Sequence, residues 1–477
     1  MDARTENRTV PLAVDLDGTL IAGDLLWEGI FALIRGNPLL ILFLPLWFLR
    51  GKARLKREIG QRVTIDAASL PYRAAVIERL REERKNGRRL VLATGSPRPF
   101  AEAVAAHLGL FDQVFATDDY RNLTGEAKKT ALVEQFGDGG FDYAGNSHAD
   151  LVVFDAARKP LVVSPDRAAR KYALNHGAET IEGAGAGPRV ILKMLRVHQW
   201  LKNVLIGVPV VLNHEYFRAD TLWTVVLAFL SFSAAASAIY IVNDLFDLSL
   251  DRRHRTKRNR PLASGAISIP TAMLVAAALL TVSVLLASFL PLLFGVTLAL
   301  YLVMTTAYSL SLKRMLLVDV LTLASLYTLR VLAGAAATGI AVSFWLLAFA
   351  IFFFLSLSLV KRYVELDVTE TPNGAKLAGR GYRPEDREIV SQAGVSAAFA
   401  SALVLALYIN SNEVIEMYRH PWMVWPLGPI ILYLTLRIWV LARRREMNDD
   451  PVVFLAGDWR SLAVCAIGAA LLVAARA

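Results

Sequence analysis

The chain has 477 residues, of which 55% are hydrophobic and only 20% are charged, and its mean hydropathy is +0.43. A soluble domain usually carries roughly 25% charged residues, so this balance excludes an ordinary soluble enzyme. The formal net charge of +10 indicates basic loops at an anionic membrane surface and argues against a nucleic-acid partner. The single cysteine, Cys465, excludes a disulfide framework and cysteine metal clusters, so we expect any metal to be held by oxygens.

The composition changes near a Gly/Ala stretch that contains Pro188 and has no hydrophobic periodicity. We therefore predict a first domain over 1–182, a linker over 183–190 and a second domain over 191–477. In the first domain short apolar runs alternate with helix-like stretches, which is typical of an α/β (Rossmann-like) fold with a parallel sheet. The chain does not open on a leader-like segment, so we expect a cytoplasmic N-terminus.

The second domain is predicted to be all-α and to cross the membrane about nine times, since its apolar segments approach the ~20 residues that a spanning helix needs. The predicted spans are 203–219, 221–243, 270–289, 292–311, 317–339, 343–360, 389–409, 422–441 and 460–476. Lys and Arg concentrate in every second connection, which predicts that the linker and the first domain lie on the cytoplasmic side of the plasma (inner) membrane.

One apolar segment of the first domain, at 38–49, does not fit a soluble fold. It is too short to span, is interrupted by Pro45 and is followed by the basic run RGKARLKR. This combination favours a helix lying in the membrane surface with its cations among the lipid head groups. The alternatives are a buried helix of the first domain and a helix packed on the membrane domain.

The first candidate site follows the first predicted strand, where VDLDGTL places Asp15 and Asp17 before a glycine. At a strand end both carboxylates can converge on one phosphate and one divalent cation. The motif resembles the D-x-D-G-T signature of the haloacid dehalogenase (HAD) phosphatase superfamily, and the likeness covers about residues 10–180, with a helical cap insert. Further family elements follow in order: Thr94 in LATGS, Lys128 or Lys129 in GEAKK, and GNSHAD at 145–150.

The HAD resemblance implies that Asp15 attacks phosphorus and that Asp17 protonates the leaving oxygen and then activates water. Thr94 and Lys128 would bind the transferring phosphate. The implied Mg²⁺ ligands are Asp15, Asp17, Asn146 and Asp150. Asn146 stands where the family usually has Asp, so a degenerate, non-catalytic phosphatase domain remains an alternative. An ion-pumping ATPase is disfavoured, because such pumps resemble D-K-T-G-T and Asp17 stands at the lysine position.

The second candidate site lies in IYIVNDLFDLSLDRRHRTKRNRPLASG, where Asp244, Asp247 and Asp251 share one helical face. These carboxylates repel one another, and Mg²⁺, which prefers a few carboxylates plus substrate phosphate oxygens, would compensate them. Asn243 adds a neutral oxygen. Basic residues follow the acids directly, a pattern that favours a diphosphate site over a solvated helix end at the interface.

This segment resembles the first aspartate-rich motif, N-D-x-x-D-x-x-x-D, of the UbiA superfamily of intramembrane prenyltransferases, and the likeness covers about 190–477. Members that prenylate aromatic rings have a second aspartate-rich motif at the sixth span, where this chain reads LVKRYVELD. Since cations partly replace acids there, the chain resembles the branch that attaches phosphoribose to a polyprenyl phosphate, decaprenyl phosphate in its best-known members. QWLKNVL, KRYVEL and MNDDPVVF also carry this resemblance.

The branch implies Mg²⁺-dependent transfer of 5-phosphoribose from phosphoribosyl diphosphate to a polyprenyl phosphate. The HAD domain would then remove the 5-phosphate, giving polyprenyl-phosphate ribose for cell-envelope polysaccharide, and the tether would raise its local concentration. The implied metal ligands, of which Asp244 and Asp247 are catalytic, are Asn243, Asp244, Asp247, Asp251 and Glu365. The implied substrate ligands are Lys257, Arg258 and Arg260 for the donor, Lys202, Lys361 and Arg362 for the acceptor, and also Asn203, Arg330 and Tyr363.

Several alternatives stay open from the sequence. Snorkelling to head groups explains any single Lys or Arg at a span end equally well. Arg330 lies deep in the fifth span, on the same helical face as Asp319, and its side chain either faces a polar cavity or binds a structural partner elsewhere. Glu365 is either a metal ligand or the ion-pair partner of Lys361. For the whole chain, the rivals are an aromatic prenyltransferase of quinone or haem biosynthesis with an accessory phosphatase, and a non-catalytic lipid-binding or transport protein.

Overall fold

The computed structural model divides into two compact units, of which the first combines the chain up to Leu195 with Tyr240–Val275, and the second combines Arg196–Ile239 with Ala276–Ala477. The first unit thus includes the acidic segment, which the sequence assigns to the second domain. The predicted linker at 183–190 remains a prediction, and its residues 184–186 lie outside the described residues. The structure describes residues 10–118, 121–183, 187–215, 217–368, 377, 379–447 and 450–476.

A parallel six-stranded sheet with the order β3-β2-β1-β4-β5-β6 forms the centre of the first unit and confirms the predicted α/β fold. The strands are β1 (Leu12–Val14), β2 (Leu90–Pro97), β3 (Gln113–Thr117), β4 (Asp142–Gly145), β5 (Pro160–Val163) and β6 (Glu179–Ile181). All three residues of β1 are buried, and Leu12 aligns with Leu90 of β2 and Asp142 of β4. The central place of β1 therefore brings the carboxyl ends of β1, β2 and β4 together, where ligands of parallel sheets bind.

Helices cover the two faces of this sheet, and separate apolar clusters form on its two sides. The helices alternate with the strands along the chain, as the alternating apolar and helix-like stretches of the sequence predict. The α-helices of this part of the chain are α1 (Leu25–Gly36), α2 (Leu44–Leu49), α3 (Lys52–Arg62), α4 (Ala74–Lys85), α5 (Arg98–Leu108), α6 (Glu126–Phe136), α7 (Leu151–Ala156), α8 (Arg167–His176) and α9 (Pro188–Leu195).

The apolar segment at 38–49 forms a 3₁₀ helix, Pro38–Phe43, followed by α2. Its side chains are largely exposed: Leu42 by 72% and Leu49 by 82%. Trp47 is buried, and the guanidinium of Arg62 lies over its ring, 5.1 Å from the centroid. The alternative of a buried helix of the first domain is therefore wrong, while the membrane-surface helix remains a prediction.

The rest of the chain is helical, as predicted. The α-helices are α10 (Val208–Leu212), α11 (Ala219–Phe246), α12 (Leu248–Arg253), α13 (Ile269–Ala287), α14 (Leu292–Leu310), α15 (Val318–Thr338), α16 (Phe344–Val368), α17 (Arg387–Ile409), α18 (Asn412–Met417), α19 (Leu427–Arg443), α20 (Pro451–Gly457) and α21 (Trp459–Arg476). Within the described residues, eight helices are long and apolar enough to cross a membrane: α11, α13, α14, α15, α16, α17, α19 and α21.

The predicted span at 203–219 is the exception to the expected nine. That region forms a 3₁₀ helix, Val197–Gly207, followed by the five-residue α10. A 3₁₀ helix rises about 2.0 Å per residue, so the two pieces together extend about 30 Å, close to the hydrocarbon thickness. Gly334 of α15 packs against this segment so closely that a Cβ atom would lie 2.0 Å from the carbonyl oxygen of Ile206.

Candidate active sites

Asp15 directly follows β1, at the centre of a buried charge network. The ammonium group of Lys128, on α6, donates to Asp15 Oδ1 (2.8 Å) and Asp150 Oδ1 (3.2 Å), and to the hydroxyl of Tyr143 (2.7 Å). Burial raises the pKa of Asp15 to about 6, although Lys128 acts in the opposite direction. Lys129 is half-exposed beside Glu126, so the structure places Lys128 at the nucleophile.

Asp17 lies on the loop after β1, with both carboxylate oxygens hydrogen-bonded. The backbone N–H of Leu25 donates to Oδ1 (2.8 Å), and the Ser96 hydroxyl donates to Oδ2 (2.5 Å). Burial, with the neighbouring charges of Asp24 and Asp15, raises the pKa of Asp17 to about 8. A carboxyl group that holds its proton near neutral pH is suited to general acid chemistry.

Asp150, whose role as a metal ligand stays a prediction, accepts hydrogen bonds at both carboxylate oxygens. Its Oδ2 accepts hydrogen bonds from the backbone N–H groups of Asn146 and Ser147 and from the Ser147 hydroxyl. Its Oδ1 accepts from Tyr143 and Lys128. Together these donors hold the pKa of Asp150 below its usual value despite its burial. Asp150 therefore orients Lys128 and has no carboxylate oxygen left without a donor.

Two side-chain oxygens at this site, Asp15 Oδ2 and Asn146 Oδ1, fit a divalent cation. The Thr19 hydroxyl donates long hydrogen bonds to Asp15 Oδ2 (3.5 Å) and Asn146 Oδ1 (3.4 Å), so these two oxygens lie close together beside that hydroxyl. Gly18, with φ of +76°, lets the loop approach Asn146, whose amide nitrogen would lie 2.2 Å from a Cβ atom there. No group of three or more His, Cys, Asp or Glu side chains in the described part of the chain forms a ready-made metal cluster.

Two further residues border this site: Thr94, which the sequence predicts there, and Lys56, which it does not. The Thr94 hydroxyl, at the end of β2, is fully buried and accepts a hydrogen bond from the backbone N–H of Ser96 (3.0 Å). Lys56, from α3, donates to the Gly95 carbonyl (2.6 Å) and to Asn122 Oδ1 (2.7 Å). Burial lowers the pKa of Lys56, while the charge of Asp17 acts in the opposite direction. The cap therefore supplies a cation near Asp17.

The acidic segment belongs to the first unit and nearly keeps its predicted helical geometry. Helix α11 ends before Asp247, and α12 begins after it. The backbone N–H of Asp247 still donates to the Asn243 carbonyl (3.0 Å), and that of Asp251 donates to the Asp247 carbonyl (2.8 Å). Arg260 joins two of the acids, since its Nη1 lies 3.2 Å from Asp244 and 2.5 Å from Asp251. Burial raises the pKa of Asp251, against the effect of Arg260.

The carboxylates of Asp244 and Asp251 are the kind of oxygen ligand that Mg²⁺ prefers, although Arg260 lies against both and the charge of Lys257 also acts on Asp251. The structure thus brings Asp244, Asp251 and Arg260 together. Of the other two donor cations that the sequence predicts, Lys257 is exposed on a 3₁₀ turn, and Arg258 faces a separate cleft of the same unit.

Helix α1 links the acidic segment to the phosphatase loop within the first unit. Near its N-terminus, Glu28 forms a two-pronged ion pair with Arg252 (2.7 and 2.8 Å), and both side chains are buried. Near its C-terminus, Arg35 donates to the Phe246 carbonyl (3.2 Å) and lies 3.9 Å from Asp247. Because the N–H of Leu25 in the same helix binds Asp17, α1 touches acids of both candidate sites.

In the second unit, Arg330 of α15 has the structural partner that the sequence left as one of two possibilities. Its Nε donates to Asn203 Oδ1 (2.9 Å) and its Nη1 to the Leu326 carbonyl (2.5 Å). The rings of Phe232, Tyr301 and Tyr327 surround the guanidinium at 5.0–5.6 Å. Asn203 also donates to the Ser233 hydroxyl. Arg330 and Asn203, predicted as substrate ligands, thus belong to a buried packing network.

Arg362 is likewise internally paired. It is fully buried, and its Nη2 lies 2.6 Å from Asp319 of α15, which also accepts a hydrogen bond from Tyr382 (2.7 Å). Arg362 also bonds Glu365, which lies 3.5 Å from Arg380. Arg362 therefore does not present its guanidinium to an acceptor phosphate in this structure, and Glu365 pairs with arginines. The neighbouring Tyr363, another predicted substrate ligand, packs edge-on against Trp439, 5.8 Å between ring centroids.

A different cluster in this unit retains positive charge. Lys202 forms an ion pair with Asp450, and its ammonium group lies 5.7 Å from the centroid of the Tyr327 ring. The charges of Lys202 and Lys361 hold the pKa of Asp450 below its usual value, although burial acts against them. Lys361 is half-buried. Among the described residues of this cluster, two ammonium groups beside one carboxylate leave a net positive charge, which can attract a phosphate.

Sequence reasoning missed several members of these sites. Ser96 lies inside the quoted LATGS motif and Asp450 inside MNDDPVVF, so their motifs carried a signal, although Asn448 and Asp449 of that motif lie outside the described residues. Asp24 and Tyr143 had no such signal, and Lys56 belongs to the basic run RGKARLKR, which the sequence predicts among lipid head groups. Their side chains reach the phosphatase site only through the fold.

Comparisons with known proteins identify one family in each half of the sequence. The UbiA prenyltransferase family matches residues 206–457, and the haloacid dehalogenase-like hydrolase family matches residues 12–151. The uncharacterized protein y4nM of Sinorhizobium fredii is 36% identical over all of this chain and 93% of its own length. The nodulation protein NoeC of Azorhizobium caulinodans is 35% identical over 58% of this chain and 89% of its own length.

A third relative is decaprenyl-phosphate phosphoribosyltransferase of Mycobacterium tuberculosis. It is 37% identical over 189 residues, which are 39% of this chain and 63% of the relative. The matches confirm the two enzymatic halves, while the alignment with the phosphoribosyltransferase is confined to part of each chain. The chain therefore belongs to the UbiA prenyltransferase family, as an integral membrane transferase with a HAD-like hydrolase domain at its N-terminal end.

Proposed function

We propose that the chain transfers 5-phosphoribose from phosphoribosyl diphosphate to a polyprenyl phosphate, and that its HAD domain then removes the 5-phosphate. The observation that carries the proposal is the net positive cluster of Lys202, Asp450 and Lys361. Lys361 stands where aromatic prenyltransferases have their second aspartate-rich motif. A lipid that reacts through its phosphate needs cations at that place, because they bind the phosphate. The likeness to decaprenyl-phosphate phosphoribosyltransferase supports the same assignment.

The donor half of the transferase is assigned to the acidic segment. Asp244, Asp247 and Asp251, with Asn243, would hold Mg²⁺, and Arg260 would bind a donor phosphate. When bound, Mg²⁺ neutralises charge on the phosphate groups and acts as a Lewis acid. Arg260 would orient the diphosphate as its bond to ribose C1 breaks. The acceptor phosphate, which supplies the oxygen of the new bond to C1, would be held by Lys361 and Lys202.

The phosphatase half uses Asp15 and Asp17. Asp15 attacks phosphorus and forms an aspartyl-phosphate, while Asp17 gives its proton to the departing C5 oxygen. Asp17 then takes a proton from water, which releases inorganic phosphate and restores Asp15. Asp15 Oδ2 and Asn146 Oδ1 would hold Mg²⁺, and Lys128 offsets the negative charge of the phosphate.

The internal contacts of the first unit support a cytoplasmic phosphatase domain and a ninth crossing. Glu28 of this domain binds Arg252 in the basic connection after α11, so both lie on one side of the membrane. Helix α11 begins on the opposite side, and the chain must cross before it. The segment Val197–Leu212, about 30 Å long, supplies that crossing. Reporter fusions at 214 and 266 are expected on opposite sides, and a common side would contradict this topology.

The transfer reaction is tested with full-length protein in detergent or nanodiscs, ribose-labelled phosphoribosyl diphosphate, Mg²⁺ and polyprenyl phosphate. Label moving into the lipid phase is the expected result. A parallel reaction receives a prenyl diphosphate and an aromatic acceptor, and product there alone would favour the aromatic prenyltransferase. Binding of polyprenyl phosphate without turnover in either reaction would favour a lipid-binding protein.

A further inference from the structure

The first unit contains an open cleft of about 460 Å³ outside the two acid sites. One wall is the stretch from Ala68 to Arg73, which precedes α4. The other comes from Arg252 of α12 and from the connection after that helix, including Arg258 and Ser264. Every lining residue belongs to the first unit. Gly265, with φ of +73°, brings that connection against the phosphatase loop, since a Cβ atom there would lie 2.0 Å from the Ala22 carbonyl.

The cleft is cationic. Its lining residues include Arg73, Arg252 and Arg258, and none of them is acidic. Glu28 neutralises Arg252. Within the described part of the chain, neither Arg73 nor Arg258 lies within ion-pair distance of a carboxylate, and burial alone lowers the pKa of Arg73. A half-buried guanidinium without a counter-charge favours an anionic ligand, and Asn259, Ser69 and Ser264 add neutral hydrogen-bonding groups.

The cleft also adjoins the phosphatase loop. Arg73 Nε donates to the carbonyl oxygen of Gly18, the residue after Asp17, at 3.1 Å. The backbone N–H of Arg73 donates to the Leu20 carbonyl (3.0 Å), and that of Ala22 donates to the Pro71 carbonyl (2.9 Å). The loop that carries both catalytic acids is therefore hydrogen-bonded to one wall of the cleft.

We propose that this cleft binds the second phosphate of a pentose that carries two phosphates, while its 5-phosphate occupies the Asp15 site. The inference rests on the proposed function, because the transfer product carries a phosphomonoester at C5 and a phosphodiester at C1. Only the bond between phosphorus and the C5 oxygen is broken, and the C1 phosphate provides binding alone. Arg258, predicted from the sequence as a donor ligand, belongs to this site instead.

The test compares two soluble substrates of the full-length protein, ribose 1,5-bisphosphate and ribose 5-phosphate, by release of the 5-phosphate. The unmodified protein should show a KM about tenfold lower for the bisphosphate, the effect of a charge-assisted contact. Arg73→Gln and Arg258→Gln should each remove this preference. Arg81→Gln, which removes an exposed charge from α4, should keep it. Equal KM values in the unmodified protein, or an unchanged preference in Arg258→Gln, would overturn the proposal.

Arg258 is exposed, so its variant decides the matter even if Arg73→Gln fails to fold. A further assay offers polyprenyl-phosphoryl ribose 5-phosphate in vesicles, which distinguishes a lipid-borne from a soluble ligand. A bisphosphate preference without any transfer of labelled phosphoribose to lipid would reject the proposed transferase and keep the cleft. Transfer with no bisphosphate preference would reject the cleft alone.

Discussion

The phosphatase site and the Arg362 cluster use the same residue types in opposite ways. Around Asp15, carboxylates outnumber cations: Lys128 serves both Asp15 and Asp150, and the pKa values of Asp15 and Asp17 rise to about 6 and about 8. Around Arg362, the arginine is fully buried, and Asp319 and Glu365 accept its charge.

The difference shows where charge remains available for chemistry. A buried group that still lacks a full counter-charge can bind a cation, hold a proton or attack a phosphate. A buried ion pair mainly fixes the packing of its helices, and removing one partner is costly. Replacing residues in the two regions should therefore affect activity in the first and stability in the second.

The largest effect is expected for Asp15→Asn. The substitution is nearly isosteric but removes the nucleophile, so phosphate release should fall by about a thousandfold or more. Transfer to lipid should continue, and the product should retain its 5-phosphate, which mass analysis of the lipid detects. Asp138→Asn, at an exposed position of the same domain, should change neither. Loss of transfer in Asp15→Asn would mean that the two halves are coupled structurally.

Arg362→Gln should act on stability. Leaving Asp319 buried without its counter-charge should cost about 3 kcal/mol of unfolding free energy, measured by denaturation in detergent. The double variant Arg362→Gln/Asp319→Asn should lose less than the sum of the two single changes.

Lys361→Ala, one residue away, is the matched control. It should leave stability unchanged and raise the KM for polyprenyl phosphate severalfold, with little effect on the sugar donor. A raised lipid KM with unaltered stability in Arg362→Gln would return that residue to the acceptor site.

Asp244→Asn should reduce transfer at least about tenfold, or ~1.4 kcal/mol of barrier, because it removes a proposed metal ligand. The protein should remain folded, since the change also relieves repulsion from Asp251. Phosphate release from an added phosphomonoester should be unaffected. Asp220→Asn, exposed at the start of the same helix, serves as control. More than about a tenth of the original transfer rate in Asp244→Asn would contradict a catalytic metal there.

The smallest effect is expected at an exposed ion pair. Arg84 binds Asp112, which also accepts from the Leu90 N–H, and these contacts lower the pKa of Asp112 although burial alone would raise it. Asp112→Asn should cost less than about 1 kcal/mol at neutral pH. The stabilisation from a depressed pKa is fully present above the unfolded value of about 4 and is lost as pH falls through the lower pKa of the folded protein, so the difference between the two proteins should shrink progressively below about pH 4. A constant difference down to pH 3 would show another origin.

Much of the architecture follows from sequence pattern alone. Short apolar runs interleaved with helix-like stretches are sufficient to predict the parallel sheet, and long apolar segments are sufficient to predict the membrane helices, because both reflect local solvent preference. The D-x-D-G-T motif likewise places Asp15 at a strand end, since the strand and the following glycine are contiguous with it. The region of the predicted span at 203–219 differs from the prediction, because hydrophobic pattern does not distinguish a 3₁₀ helix from an α-helix and much of this segment is 3₁₀.

Only the tertiary structure decided which charged residues are satisfied by one another. The sequence gives no sign that Arg362 meets Asp319, 43 positions earlier by number, that Arg330 lies among three aromatic rings, or that Asp150 is saturated by donors. Nor does it show that the acidic segment packs into the same unit as the phosphatase domain. The role of a charged side chain depends on the groups that lie next to it, and residues distant in sequence become neighbours only when the chain folds.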